Sequence, residues 1–174
     1  MKRLWIAFSV FALCAALTGC AFAQGNPRGK SEVTAGAAKV SVEYGRPSLH
    51  GRSIQDMLGK LAAGEVWRLG ADKSTTFTTS ADLDFGGTTV PKGVYSLWAQ
   101  KQADNTWKLV FNSQHGQWGT DHDASKDAVA VPLTQGNAGS AADQVAIKLD
   151  KEGDGAKITI SWGDLELSTN FKAK

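Results

Sequence analysis

From Lys39 to the C-terminus, apolar residues recur at alternate positions in short runs broken by Gly, Pro, Asp and Asn. A period of two places one set of side chains on each face of a pleated ribbon, so this chain is constrained to half-buried strands around a core. Val40, Val42 and Tyr44 alternate with Ser41 and Glu43, and Val66-Trp67-Arg68-Leu69 predicts a second strand. Thr75–Ser80 carries Phe77 at its centre, and Asp82–Phe85 alternates up to Gly86-Gly87, a hairpin signal. Thr88–Val90 and the turn Pro91-Lys92-Gly93 lead into Val94–Ala99. In that strand Tyr95 and Leu97 oppose Val94 and Trp98, which predicts cover on both faces.

Thr106–Asn112 follows, with Trp107, Leu109 and Phe111 on one face. Val129 and Val131 predict a short strand ended by Pro132. Val145–Leu149 and Ile158–Trp162 flank a hairpin at Asp150–Gly155, and Leu165 and Leu167 open the last strand after a turn at Gly163-Asp164. The helical candidate is Ser53–Leu61, capped by Ser53 and bearing Ile54, Met57, Leu58 and Leu61 at helical spacing. The expected fold is all-β: a single-domain antiparallel β-sandwich or flattened barrel over residues 39–174, with about nine or ten short strands and one short helix in a loop. The absence of βαβ units argues against nucleotide folds built on parallel sheets.

Ahead of this domain, Met1–Arg3 is basic and Leu4–Leu17 is an uncharged apolar run of 14 residues, shorter than the roughly 20 a membrane-spanning helix needs. Residues 1–23 therefore read as a signal peptide for export to the periplasm or beyond. Two cleavage sites compete. Ala21-Phe22-Ala23 suits ordinary signal peptidase, with cleavage after Ala23. Leu17-Thr18-Gly19-Cys20 resembles the bacterial lipobox, with cleavage after Gly19 and lipidation of Cys20 as a membrane-anchored lipoprotein. Residues 24–38 are rich in Gly, Pro, Ser and Ala and read as a flexible tether. Cys14 and Cys20 are the only cysteines, so the folded domain contains no disulfide, thiol nucleophile or cysteine-bound zinc. Without Lys2 and Arg3, the 19 basic residues fall into balance with the 17 acidic ones, which excludes the electrostatic footprint of a nucleic-acid binder.

Arg46, Arg52 and Arg68 are the most suggestive side chains. If their segments converge, paired guanidinium hydrogen bonds would grip a carboxylate or phosphate. Ser48, Thr75 and Tyr95 would complete such a pocket, and Trp67 or Trp118 would supply an apolar wall. The competing reading makes the same arginines internal ion-pair partners of Glu43, Glu65 and Asp72. The loop 113–127 holds His115, Trp118, Asp121, His122 and Asp123. Its Asp121, Asp123 and Asp127 imitate half of a calcium loop, but Lys126 and Pro132 stand where the glycine and closing glutamate belong, and solvated turns are the commoner outcome. Asp150, Glu152 and Asp154 imitate the same half-motif inside a hairpin turn. Asp82 and Asp84 share a strand face, where paired acids more often line a wet surface than serve glycoside hydrolysis. His115 and His122 match no zinc motif, and no GxSxG turn is present. No cofactor is implied.

The strings VEYGRPSLHGR (Val42–Arg52), GEVWRLGAD (Gly64–Asp72), TTF (Thr75–Phe77), PKGVYSLW (Pro91–Trp98), WKLVFN (Trp107–Asn112) and QWG (Gln117–Gly119) occur in that order. This succession resembles the bacterial exported family catalogued as domain of unknown function 2911, from about Lys39 to Pro132. The resemblance implies an exported domain and carries no activity. After Gln117-Trp118-Gly119 the chain departs from the aromatic pattern of that family with Asp121-His122-Asp123. The expected function is a non-enzymatic small-ligand-binding or interaction module of the bacterial envelope with an arginine-lined pocket. Its partner would be a small molecule or an envelope protein, with membrane contact only through Cys20. The alternatives are a hydrolase using Asp and His of the 113–127 loop, or a purely structural lipoprotein module that binds through a sheet edge.

Overall fold

The computed structural model describes residues 25–174. The expected signal peptide, both candidate cleavage sites and Cys20 lie outside them. Ten antiparallel strands make one sheet: β1 (Arg28–Ala35), β2 (Ala38–Gly45), β3 (Val66–Trp67), β4 (Thr76–Thr79), β5 (Leu83–Phe85), β6 (Thr88–Val90), β7 (Gly93–Lys101), β8 (Trp107–Asn112), β9 (Asp127–Glu152) and β10 (Gly155–Ala173). The strand order is β1-β2-β4-β7-β8-β9-β10-β5-β6, with β3 added to β7. The helix α1 spans Ile54–Leu58 in the loop after β2, and its capping box joins Ser53 and Asp56.

The sheet curls on itself without closing as a ladder. Its seam lies between β1 and the far half of β9, where side chains and loop backbone replace strand pairing. The Leu149 N–H donates to Ser31 Oγ at 2.9 Å, and the Val145 N–H donates to the Pro47 carbonyl at 3.1 Å. The result is a flattened barrel. One end of its core is aromatic: Phe111 meets Phe77, Phe85 and Tyr95 at centroid distances of 5.3, 5.3 and 5.8 Å. Towards the other end Trp67 stacks on Trp162 at 5.6 Å.

Four expectations are corrected. Residues 24–38 are not a tether: Arg28–Ala35 form β1, paired along its whole length with β2. The inward positions of β1 are Gly29, Ser31, Val33 and Ala35, too small or too polar to give an apolar period. The strands are also not uniformly short, since β9 has 26 residues and β10 has 19. Pro132 does not end its strand; it lies opposite Lys108 on a stretch of β9 where β10 no longer pairs, and a missing N–H is tolerated there. Finally, Gly163-Asp164 is no turn between strands but a register break inside β10. Gly163 is needed there, with φ +60° and Ile54 Cβ 3.3 Å from where its own Cβ would stand.

Candidate functional site

The quoted strings VEYGRP and VWRLGAD touch through their glycines. A Cβ on Gly45 would stand 2.1 Å from the Ala71 carbonyl oxygen, and one on Gly70 would stand 2.9 Å from Thr75 Oγ1. This close approach fixes the loop after β3, in which Leu69 and Asp72 both take positive φ. Thr75 is fully buried, and its hydroxyl donates to the Leu69 carbonyl at 3.1 Å. Thr75 is thereby a brace for this loop and has no face towards a ligand.

The segment Gly116–Gly119 is fastened to the same loop. The Ser74 N–H donates to the Gln117 carbonyl at 2.9 Å, and the Gly119 N–H donates to the Asp72 carbonyl at 2.7 Å. Between these bonds Lys73 and Trp118 are bridge partners. A further anchor is Ser96, whose hydroxyl donates to the Gln114 carbonyl at 2.7 Å while accepting from Trp98 Nε1 and Gln117 Nε2. Trp118 is nonetheless 52% exposed, with every other described tryptophan buried. Arg68 runs its stem beside this segment, its Cδ 3.2 Å from the place a Cβ on Gly119 would take.

The remainder of the loop, residues 120–126, folds over the outer face of β7. His122 lies on Trp98 with ring centroids 4.7 Å apart, and its Nε2 is 2.9 Å from Asp127 Oδ1. Asn112 Nδ2 donates to the same carboxylate oxygen at 2.7 Å and to the Asp123 carbonyl at 2.8 Å. Hydrogen bonds from the Ser125 hydroxyl and N–H hold the Asp123 carboxyl below the usual carboxylate range. Asp121, Asp123 and Asp127 therefore do not converge: Asp123 caps a tight turn, Asp127 meets His122, and Asp121 is exposed. Trp98, with polar atoms on both sides of it, is a buried floor for the loop, and both faces of β7 are covered as its sequence predicts.

Arg46, Arg52 and Arg68 are not drawn together by any described hydrogen bond. Arg46 Nε donates across the seam to the Val145 carbonyl at 3.4 Å, and Arg52 Nε donates to the Leu49 carbonyl at 2.9 Å. The competing ion-pair reading also fails among the described residues. Glu43 is 3.6 Å from Lys30, Glu65 accepts from the Ala62 N–H, and Asp72 accepts from Asn26. Ser48 bridges to Gln144 on β9, and Trp67 is buried in its stack. Tyr95 is turned away towards β6, where its hydroxyl donates to the Pro91 carbonyl at 2.8 Å; burial, with a smaller contribution from the Asp82 charge, raises its pKa.

Two clefts are relevant. One, of about 230 Å³, opens beneath α1 between Trp107, Asn137 and Leu165; the other, of about 430 Å³, lies between Val66, Gln100 and His122. No arginine lines either cleft.

A family model described as "Protein of unknown function (DUF2911)" matches residues 26–171. The chain belongs to the DUF2911 family. The DUF2911 match begins at Asn26, two residues before β1, and ends inside β10, so it takes in the strand that the sequence hides in a supposed tether. No curated protein and no solved structure matches the chain. Within this DUF2911 domain, the contacts missed by sequence reasoning are those of Asn26 and Arg28. The Asn26 N–H donates to Asp72 Oδ2 at 2.8 Å, and Arg28 Nη1 donates to the Lys73 carbonyl at 3.4 Å. Neither gives a local signal, because the two partners are more than 40 residues apart in sequence.

Proposed function

We propose that this chain is an exported module of the bacterial envelope that acts by binding, with its contact surface at Trp118 and the neighbouring Arg68 and Lys73. The observation that carries this reading is a half-exposed tryptophan on a segment hydrogen-bonded in place from both sides. A pinned loop has already lost the conformational freedom that a ligand would otherwise have to remove, so its aromatic ring is preorganised for contact. Of the arginine-lined pocket, Arg68 stays in this reading and Arg46 and Arg52 leave it, because their Nε groups hold carbonyls of the fold. The 1–23 leader supplies export, and acylation of Cys20 supplies the anchor. The hydrolase reading is weaker, since His122 and Asp127 are spent on each other, on Trp98 and on Asn112.

The test is thermal unfolding of the exported chain with acidic sugars, carboxylates and glycerol phosphate, beside a photocrosslinker placed at position 118 in the envelope. A ligand at a hundred times its dissociation constant adds about 2.7 kcal/mol. That is a rise of several degrees for a chain of this size. Arg68→Ala and Trp118→Ala should lose the rise while keeping the unliganded midpoint. A flat response together with a crosslinker that captures neither protein nor lipid would sink binding through this surface, and unfolding of Arg68→Ala would make that arginine structural instead.

A further inference from the structure

The place where the chain enters the folded domain and the place where Trp118 is exposed are the same place. Asn26 is fastened to Asp72, Arg28 reaches the Lys73 carbonyl, and Lys73 is the bridge partner of Trp118. Arg28, Lys73 and Arg68 thus all approach the segment that carries this exposed indole, with Asp72 and Asp121 as the acids nearby. Six Cα–Cα steps, with five residues between, take the chain from Cys20 to Asn26. Even fully extended they reach only about 20 Å. That is less than half of what a tether ending at Ala38 would allow, and it leaves the domain little room to turn away from its anchor.

We propose that the Trp118 face lies on the membrane, with the indole at headgroup level and Arg28, Lys73 and Arg68 towards anionic lipid phosphates. This rests on the lipid-anchored binding reading above and names the ligand of that same surface as an anionic phospholipid bilayer. A ring with an apolar body and one N–H donor suits the interface between headgroups and acyl chains, where tryptophan is enriched. Guanidinium and ammonium groups beside it match phosphate in charge and in hydrogen bonding. A soluble anion would satisfy the cations but leave the indole in water, whereas a bilayer takes both. The near-neutral remainder of the domain gives no rival face of this kind, for Trp118 and Val94 are the large apolar side chains exposed among the described residues. Val94 is on β7 in register with Thr78 and, beyond it, Ser41, whereas the chain enters at the Gly45 end of β2.

The acylated full-length product, purified from the envelope, is reconstituted into vesicles of phosphatidylcholine and phosphatidylglycerol with and without bromine on the acyl chains. Trp67, Trp98, Trp107 and Trp162 are at most 6% exposed, so contact quenching by bromine reports on Trp118. The expected result is loss of part of the emission in brominated vesicles, absent in Trp118→Phe and weakened by Lys73→Glu or by raised salt. Both variants change exposed side chains and should fold. An intact mass of the mature N-terminus separates the two levels of failure. Acylated protein whose Trp118 is not quenched overturns this inference and leaves the anchored reading standing. A Cys20 without acyl chains overturns both.

Discussion

At the scale of single residues, the most informative positions are two glycines whose partners are carbonyl and hydroxyl oxygens of another segment. Gly45→Ala would put a methyl group 2.1 Å from the Ala71 carbonyl oxygen. The loop after β3 must then move, at a cost of about 1–3 kcal/mol. The expected reading is a lower denaturant midpoint with unchanged slope, and an unchanged midpoint would show that the contact is dispensable. Thr75→Val tests the bracing of the same loop at a second point, beside Gly70. It keeps the shape but removes the hydroxyl that satisfies the Leu69 carbonyl, so stability should fall by about 1 kcal/mol or more. These positions were legible as strings but not as a contact. The side chains that seemed to make a pocket, Arg46 and Arg52, carry ordinary guanidinium groups, and only the seam and the loop that they close reveal why they are there.

At the scale of elements, the loop from Ser113 to Lys126 is the clearest departure from what its composition suggests. A long polar loop with two histidines and two acids invites a metal or catalytic reading, yet its polar groups mainly fix its own course. His122 closes it over Trp98, and Asn112 and Asp127 hold its end to β8 and β9. His122→Ala should therefore uncover Trp98 and speed amide exchange across residues 120–126, with little change in the strands. Exchange that rises equally in β7 and β8 would instead make the histidine part of the core. Apart from β1, strand existence was readable from period two, while strand extent was not. β1 has few large apolar residues to show a period, and the register break at Gly163 looks from sequence like an ordinary turn.

At the scale of the whole molecule, stability comes from a barrel interior with an aromatic cluster at one end and a tryptophan stack towards the other. Phe111 is fully buried and meets three other aromatic rings, so Phe111→Ala should cost about 3–5 kcal/mol. Its thermal midpoint should fall by well over 5 °C. The cluster also sets an alkaline limit. Burial raises the pKa of Tyr95 above its ordinary value near 10.0, so the folded state keeps the proton longer than the unfolded chain. The contribution is whole below the unfolded value and is lost as pH climbs through the raised one. Unfolding midpoints of Tyr95→Phe should therefore fall less steeply above about pH 10 than those of the parent chain. Equal slopes would assign the alkaline loss to other groups.

The sequence by itself determined the fold class, the hairpins at Gly86-Gly87 and Asp150–Gly155, the short capped helix and most of the core. These follow from alternation, turn residues and capping, whose physics is complete within a few neighbouring residues. Tertiary structure alone decided that residues 28–35 make a strand, that the sheet curls to bring β1 beside β9, and that three arginines have three separate surroundings. It also decided that Trp118 stays exposed on the folded chain and which loop covers Trp98. Each indole is exposed or buried by what other segments bring to it, and the chain folds those segments together from distant points of the sequence.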